Sequence, residues 1–131
     1  MRSAGLWHPG LLQLVASLGH GDLLVVADAG LPVPPGVESV DLLWHAGEPR
    51  FLPVLGTLLD ELVVERATLA REAADPALLA GLDAAFGPRG IPVDRLSHDR
   101  LKQLSTTARA VVRTGETTPY ANAVLRAGVP F

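Results

Sequence analysis

The pattern of apolar and polar positions divides the chain into alternating helices and strands. Apolar residues recur at helical spacing from Pro9 to Leu18, with a proline near the start and a glycine just past the end. A continuous apolar run from Leu23 to Ala27 has the length of a strand that is covered on both faces. The sequence therefore predicts a first helix that leads through a short turn into a central strand.

The rest of the chain repeats this alternation. Further strands are predicted over 40–44, 61–71, 91–96, 110–113 and 120–125, and further helices over 49–59, 76–86 and 98–108. Asp75 and Ser97 are expected to cap the last two helices, with Pro76 as the first residue of its helix. Prolines and a glycine between 32 and 36 exclude regular structure there. The order predicts an α/β fold, a single three-layer α/β/α domain over residues 1–131 with a mostly parallel sheet of about six strands.

Composition fits one domain and disfavours several kinds of partner. The 131-residue chain is 48 % hydrophobic and 5 % aromatic, so its core must consist of Leu, Val and Ala. The net charge is −3 and the arginines are scattered, which argues against nucleic acid. No apolar run has the length of a signal-peptide core or a membrane span, so we expect a cytoplasmic protein without a membrane partner. The apolar excess favours a homo-oligomer that covers hydrophobic surface.

Several kinds of chemistry lack their usual residues. The chain contains no cysteine, which removes disulfides and thiolate chemistry. Motifs of closely spaced metal ligands, nucleophilic serines, phosphate loops and dinucleotide-binding glycines are missing, so we expect neither a metal nor a cofactor. His8 and His45 match no motif, and we expect both to face solvent or to make local hydrogen bonds.

Polar residues stand at both ends of the predicted central strand. His20 lies between two glycines, where a free backbone can aim an imidazole into a cleft. Alternatively, it interacts with the last carbonyls of the preceding helix. Asp28 follows the strand, and side chains at that place face the ligand crevice of an open α/β sheet. Alternatively, Asp28 caps the bend at 29–30. Asp22 either orients the His20 ring or stabilises the turn around it.

Three further side chains are candidates for binding a polar ligand. His98 begins a predicted helix, where the helix dipole favours a neutral ring that can accept a hydrogen bond, although a histidine there is also often a solvated surface residue. If 120–122 is extended, Tyr120 and Asn122 leave the same face and Ala121 the other. Phenol and amide groups pair well with hydroxyls. The structural alternative is a tyrosine between core and solvent beside an edge asparagine.

Two segments of the sequence resemble the D-ribose pyranase and L-fucose mutarotase family. One begins with Gly-His-Gly-Asp at 19–22 and continues to Asp-Ala-Gly-Leu-Pro-Val-Pro at 28–34, a form similar to the ribose branch. The other is Arg-Thr-Gly-Glu-Thr-Thr-Pro-Tyr-Ala-Asn at 113–122, and the resemblance extends to Ala-Gly-Val-Pro-Phe at 127–131. It implies a cytoplasmic isomerase that binds a monosaccharide, D-ribose, without a cofactor. It also implies a ring-shaped homo-oligomer, a decamer.

The resemblance assigns roles to the candidate residues. It implies that His20 is the catalytic acid and that the substrate is bound by Asp28, His98, Tyr120, Ala121 and Asn122. The implied reaction opens the hemiacetal of the pyranose and recloses it as the furanose, and the identity of the base stays open. The oligomer would allow the loop after Asp28 and the C-terminal strand of one site to come from different subunits. Two alternatives also stay open: an L-fucose mutarotase, and a non-catalytic sugar-binding or interaction protein of a ribose uptake system.

Overall fold

One mixed sheet forms the centre of the computed structural model, which describes residues 1–131. Its strands are β1 (Leu23–Ala27), β2 (Glu38–Asp41), β3 (Val64–Ala70), β4 (Val93–Leu96), β5 (Ala110–Arg113) and β6 (Ala123–Ala127). They lie in the order β2, β5, β1, β6, β3, β4, and β6 alone runs antiparallel to its neighbours. The predicted α/β class and six-stranded, mostly parallel sheet are confirmed.

Helices cover both faces of the sheet unequally. They are α1 (Pro9–Ser17), α2 (Phe51–Glu61), α3 (Pro76–Phe86) and α4 (His98–Ser105). The first three share the larger core with alternate β1 residues Leu24 and Val26, whereas α4 packs through Leu101 against Val25 and Val111. Because β1 is buried on both faces, its side chains are continuously apolar, as the sequence showed. No helix has the length and apolar character that a bilayer crossing requires.

Side-chain hydrogen bonds cap the N-terminal ends of three of the helices. The Asp75 carboxylate accepts a hydrogen bond from the Leu78 N–H at 2.9 Å, and the Ser97 hydroxyl accepts one from the Arg100 N–H at 3.3 Å, as predicted. The exposed His8 ring caps α1 in a similar way, through Nδ1. His8 is therefore a local hydrogen-bonding residue, as expected.

Several predicted boundaries were wrong by a few residues. Strand β2 covers Glu38–Asp41 rather than 40–44, because its pairing with β5 stops where β5 ends. Helix α2 begins at 51 rather than 49, and β4 begins at 93 rather than 91. Helix α4 ends at Ser105 rather than 108, since the next three N–H groups bond to carbonyls three residues back.

The most consequential wrong prediction concerns the start of the last strand, β6. It begins at Ala123 rather than 120, because Tyr120 has a φ of 62° and the Asn122 N–H donates to its carbonyl at 2.9 Å. This tight turn replaces the extended backbone that was predicted for 120–122. Tyr120 and Asn122 therefore do not lie on one strand face, and their positions depend on the turn.

Candidate active site

Five of the six predicted site residues gather at one edge of the sheet. Asp28 directly follows β1, His98 follows β4 after one residue, and Asn122 directly precedes the antiparallel β6. A pocket of about 240 Å³ lies at this edge, lined by Asp28, Gly30, Leu31, His98, Pro119 and Tyr120. Pockets for drug-sized ligands span about 300–1,000 Å³. This smaller volume suits one small polar molecule.

The Asp28 carboxylate is fixed on both oxygens. Its Oδ1 accepts hydrogen bonds from the N–H groups of Gly30 and Leu31 at 2.9 and 2.8 Å, which is the turn-capping role that the sequence allowed. Its Oδ2 accepts a bond from Asn122 Nδ2 at 3.1 Å, and Asn122 Oδ1 accepts one from the Asp28 N–H at 2.9 Å. The pocket therefore contains a rigid carboxylate whose direction is set by an amide that is 1 % exposed.

His98 and Tyr120 form an aromatic wall of the pocket. Their ring centroids are 5.0 Å apart with planes at 76°, an edge-to-face contact. The His98 N–H donates to both oxygens of Glu72 at 3.0 and 2.8 Å, which anchors the start of α4. His98 Nδ1 is buried and has no hydrogen-bond partner in the protein. Buried polar atoms are normally paired, but the rest of the chain supplies no partner for this nitrogen.

The loop before Tyr120 is tied to the end of β1. The Thr114 hydroxyl donates to the Ala27 carbonyl at 2.7 Å, and the Ala29 N–H donates to the Glu116 carbonyl at 2.9 Å. A Cβ at Gly115 would overlap the Glu48 peptide, so only glycine allows this close packing. The loop thus holds Tyr120 beside the Asp28 bend.

The buried Glu116 carboxylate stabilises the same loop through several hydrogen bonds. It is 4 % exposed and accepts hydrogen bonds from the Phe51 N–H at 3.2 Å, the Thr118 hydroxyl at 3.1 Å and the Arg50 guanidinium at 3.3 Å. Burial by itself raises the pKa of Glu116, but the hydrogen bonds from Phe51, Thr118 and Arg50 outweigh it and hold the pKa below its ordinary 4.5. Glu116 is therefore a charged buried anchor.

His20 lies at the opposite edge of the sheet. It precedes β1 while Asp28 follows it, and the five residues of this strand separate the two by about 17 Å at ~3.3 Å per residue. The His20 side chain is 60 % exposed, and its Nε2 lies 3.0 Å from Glu65 Oε2. Within one chain, the structure does not bring His20 to the pocket.

The structure bears on two points that the sequence left open. Asp28 and Asn122 bond within one chain, so these two site residues meet without a second subunit. Asp22 makes no hydrogen bond to the His20 ring. Its carboxylate accepts hydrogen bonds from the Gly19 N–H and from Arg109, both at 2.8 Å, and these two lower its pKa. The turn-stabilising alternative for Asp22 is confirmed.

One predicted site residue lies away from the pocket, and other residues that shape the site were not singled out from the sequence. Ala121 is fully buried in the larger core, so its side chain does not reach the pocket and only its backbone can contribute. Thr114 and Glu116 lie in the 113–122 segment that resembles the family, but no role was assigned to them from the sequence. Two polar residues directly after a buried strand were the available signal. Nothing local pointed to Glu65, whose contact with His20 spans 45 positions.

A larger cavity of about 590 Å³ lies elsewhere, against α1 and α2. Its walls include Leu6, Leu11, Trp44 and Leu58, with few polar groups. A hydroxyl-rich ligand would lose hydrogen bonds to water there without replacing them. The pocket at the carboxyl edge, which gathers Asp28, His98 and Tyr120, is the candidate site.

The whole chain is similar to known proteins. The model of the RbsD / FucU transport protein family matches residues 1–130. A D-ribose pyranase of Symbiobacterium thermophilum is 51 % identical over 133 residues, covering 100 % of both chains. The structure of Bacillus subtilis RbsD complexed with D-ribose matches with a TM-score of 0.94 at 41 % identity, over 100 % of both chains. The fucose mutarotase from Streptococcus pneumoniae, in complex with L-fucose, has a TM-score of 0.82 at 24 % identity, covering 95 % of this chain and 94 % of its own, a likeness of fold alone.

Proposed function

The chain belongs to the RbsD / FucU transport protein family, and we propose that it is an isomerase that interconverts the β-pyranose and β-furanose forms of D-ribose. Relatives whose sequences are about 50 % identical to this chain over their full length are D-ribose pyranases. A solved structure with a similar fold, RbsD of Bacillus subtilis, is complexed with D-ribose. The observation that carries the proposal is the small pocket lined by Asp28, whose carboxylate is fixed, and by His98, whose Nδ1 has no partner in the chain. Both groups suit sugar hydroxyls.

The reaction needs two proton transfers in ring opening, two in reclosure, and no redox step. In ring opening, the ring oxygen gains a proton as its bond to C1 breaks, and the anomeric hydroxyl loses a proton to give the aldehyde. In reclosure, the 4-hydroxyl oxygen attacks C1 and loses its proton, while the carbonyl oxygen regains one. General acid–base catalysis of this kind typically supplies about 10²–10⁴-fold.

His20 is the proposed proton carrier. A protonated imidazole gives its proton to the ring oxygen, and the resulting neutral ring accepts the proton of the 4-hydroxyl, which returns the enzyme to its starting state. Asp28, His98, Tyr120 and Asn122 bind the remaining hydroxyls, together with the backbone of Ala121. The anomeric proton leaves to a pocket group or to water.

His20 must come from another copy of the chain for this chemistry to occur. Its separation of about 17 Å from Asp28 along β1 excludes direct transfer within one chain, and its exposed ring is free to enter a neighbour. The proposal therefore includes a ring-shaped homo-oligomer, a decamer as the family resemblance implies, in which each pocket receives the His20 edge of an adjacent subunit. It also includes a cytoplasmic location, which cell fractionation would test.

Saturation-transfer NMR on ribose and fucose tests the activity. We expect purified protein to accelerate pyranose–furanose exchange of D-ribose and His20→Ala to lose this effect. His45→Ala is the matched control, because His45 is exposed and its ring bonds only to the neighbouring Ala46 carbonyl. Exchange confined to fucose anomers would replace the proposal with a mutarotase. Ribose binding without exchange would replace it with a carrier or interaction protein.

A further inference from the structure

The backbone of the turn that carries His20 is fixed by hydrogen bonds that do not involve the His20 side chain. The Gly21 N–H donates to the Ala127 carbonyl, and the Ala127 N–H donates to the Asp22 carbonyl, both at 2.8 Å. Gly21 has a φ of 85°, which a residue with a side chain adopts only under strain. The backbone around His20 is therefore held on β6, but these bonds leave the direction of the imidazole undetermined.

One carboxylate contacts the His20 ring. Glu65 Oε2 lies 3.0 Å from His20 Nε2, while Glu65 Oε1 lies 3.0 Å from Nε of Arg126. The arginine holds the carboxylate, and the carboxylate holds the imidazole. The same histidine–carboxylate arrangement orients catalytic and metal-binding imidazoles in unrelated proteins, because it selects which ring nitrogen carries the proton.

The position of Glu65 depends on an irregularity in the sheet. Along the β3–β6 pair, Val64 faces Ala127 and Arg66 faces Arg126, so Glu65 is an extra residue without a partner of its own. Such a bulge redirects a side chain and is over-represented beside active sites. Here it allows Glu65 to reach both the His20 ring and Arg126.

We propose that Glu65 is a positioning residue that holds His20 in the tautomer with the proton on Nε2 and presents Nδ1 to the sugar. This inference rests on the proposed function, since it specifies the nitrogen through which His20 exchanges protons. With Nε2–H donated to Glu65, the neutral ring offers Nδ1 as the acceptor for the 4-hydroxyl proton, and the protonated ring offers Nδ1–H as the donor to the ring oxygen. Arg126 anchors Glu65 and makes no hydrogen bond to the imidazole.

Two substitutions of Glu65 separate positioning from bulk structure. Glu65→Gln keeps an oxygen that accepts from Nε2–H, and we expect it to retain kcat within about threefold. Glu65→Ala removes the acceptor, and we expect kcat to fall about tenfold or more with a smaller change in KM, within the 10²–10⁴-fold that acid–base catalysis supplies. Asp60→Ala is the matched control, because Asp60 is likewise an exposed carboxylate paired with an arginine, Arg89, but lies away from His20 on α2.

The tautomer is measured directly by solid-state 15N NMR of histidine-labelled protein at about pH 9, where ordinary imidazoles are neutral. The chain has only four histidines, so the His20 signals are identified by their loss in His20→Ala. We expect the Nε2–H form in the wild type and in Glu65→Gln, and a mixture in Glu65→Ala. An unchanged tautomer in Glu65→Ala, or an unchanged kcat, would overturn the inference. The ribose exchange of the wild type tests the proposed function separately, and the 15N readout does not depend on it.

Discussion

Asn122 and Asp28 hold each other through both ends of the asparagine amide. Asn122 Oδ1 accepts from the Asp28 N–H at 2.9 Å, and Asn122 Nδ2 donates to the Asp28 carboxylate at 3.1 Å. Since Asn122 is 1 % exposed, water cannot easily replace either bond. The pair joins the end of β1 to the start of β6 and sets the direction of the carboxylate in the pocket.

Removing this amide should weaken both folding and binding. We expect Asn122→Ala to lower the free energy of unfolding by about 1–3 kcal/mol, because the Asp28 N–H loses its buried partner. The KM for D-ribose should rise, since the carboxylate is no longer fixed. Urea denaturation and exchange kinetics measure the two effects. As a control, Gln103→Ala removes an exposed amide and should change stability by no more than about 0.5 kcal/mol. Equal stability of the two variants would contradict the role given to the pair.

The Tyr120 hydroxyl is expected to act in binding rather than in folding. Tyr120→Phe keeps the ring against His98 and should weaken D-ribose binding by up to about tenfold, the effect of one neutral hydrogen bond. Its free energy of unfolding should stay within about 0.5 kcal/mol of the wild type. Tyr120→Ala also loses the edge-to-face contact, which contributes about 0.5–1.5 kcal/mol. Calorimetric titration with ribose compares the variants. Unchanged affinity in Tyr120→Phe would remove the phenol from the site.

Glu116 should make the stability of the fold dependent on pH. Its pKa in the folded state lies below the ordinary 4.5, so its contribution is fully present above pH 4.5 and is lost as the pH falls through the lowered folded-state value. We expect Glu116→Gln to be less stable than the wild type by about 1–3 kcal/mol at about pH 7, and the difference to shrink towards about pH 3. Urea denaturation at several pH values measures this trend. A difference that stays constant with pH would show that the charge of Glu116 does not matter.

The sequence predicted the features that depend on neighbouring residues. The β1 run, the Asp75 and Ser97 caps and the place of Asp28 at the end of its strand all follow from local patterns, and the structure has each of them. The turn at Tyr120 could not be predicted in this way. It depends on the Glu116 carboxylate, which accepts from the Phe51 N–H across 65 positions.

Contacts far apart in the chain also explain why the environment of His20 was missed. Asp22, two residues away, was the local candidate for orienting the ring, but it bonds to Arg109 instead. The residue that touches the ring is Glu65, and a bulge in β3 places it there. Local patterns contain no signal for a bulge, because the pairing of β3 with β6 determines the shift in register.

Mixed oligomers test whether each pocket uses the His20 of another copy. His20→Ala retains an intact pocket, and Asp28→Ala retains an intact His20, so each variant alone should be inactive. Dissociating the two together and reassembling them should restore activity, because some pockets then receive His20 from a copy that still has it. Random assembly at equal amounts makes about a quarter of the sites complete if each site draws on two subunits.

The recovered activity distinguishes the two arrangements quantitatively. A site formed within one chain cannot be completed by mixing, since every chain in the mixture lacks one of the two groups. Saturation-transfer NMR on D-ribose measures the exchange rate per site, and a mixture of His20→Ala with a second pool of His20→Ala is the control for reassembly itself. Because the two ends of β1 are about 17 Å apart, no side-chain movement alone can bring His20 to Asp28 of the same chain. Absence of recovery in oligomers shown by mass spectrometry to contain both variants would therefore contradict a site that combines the pocket of one subunit with the His20 of another.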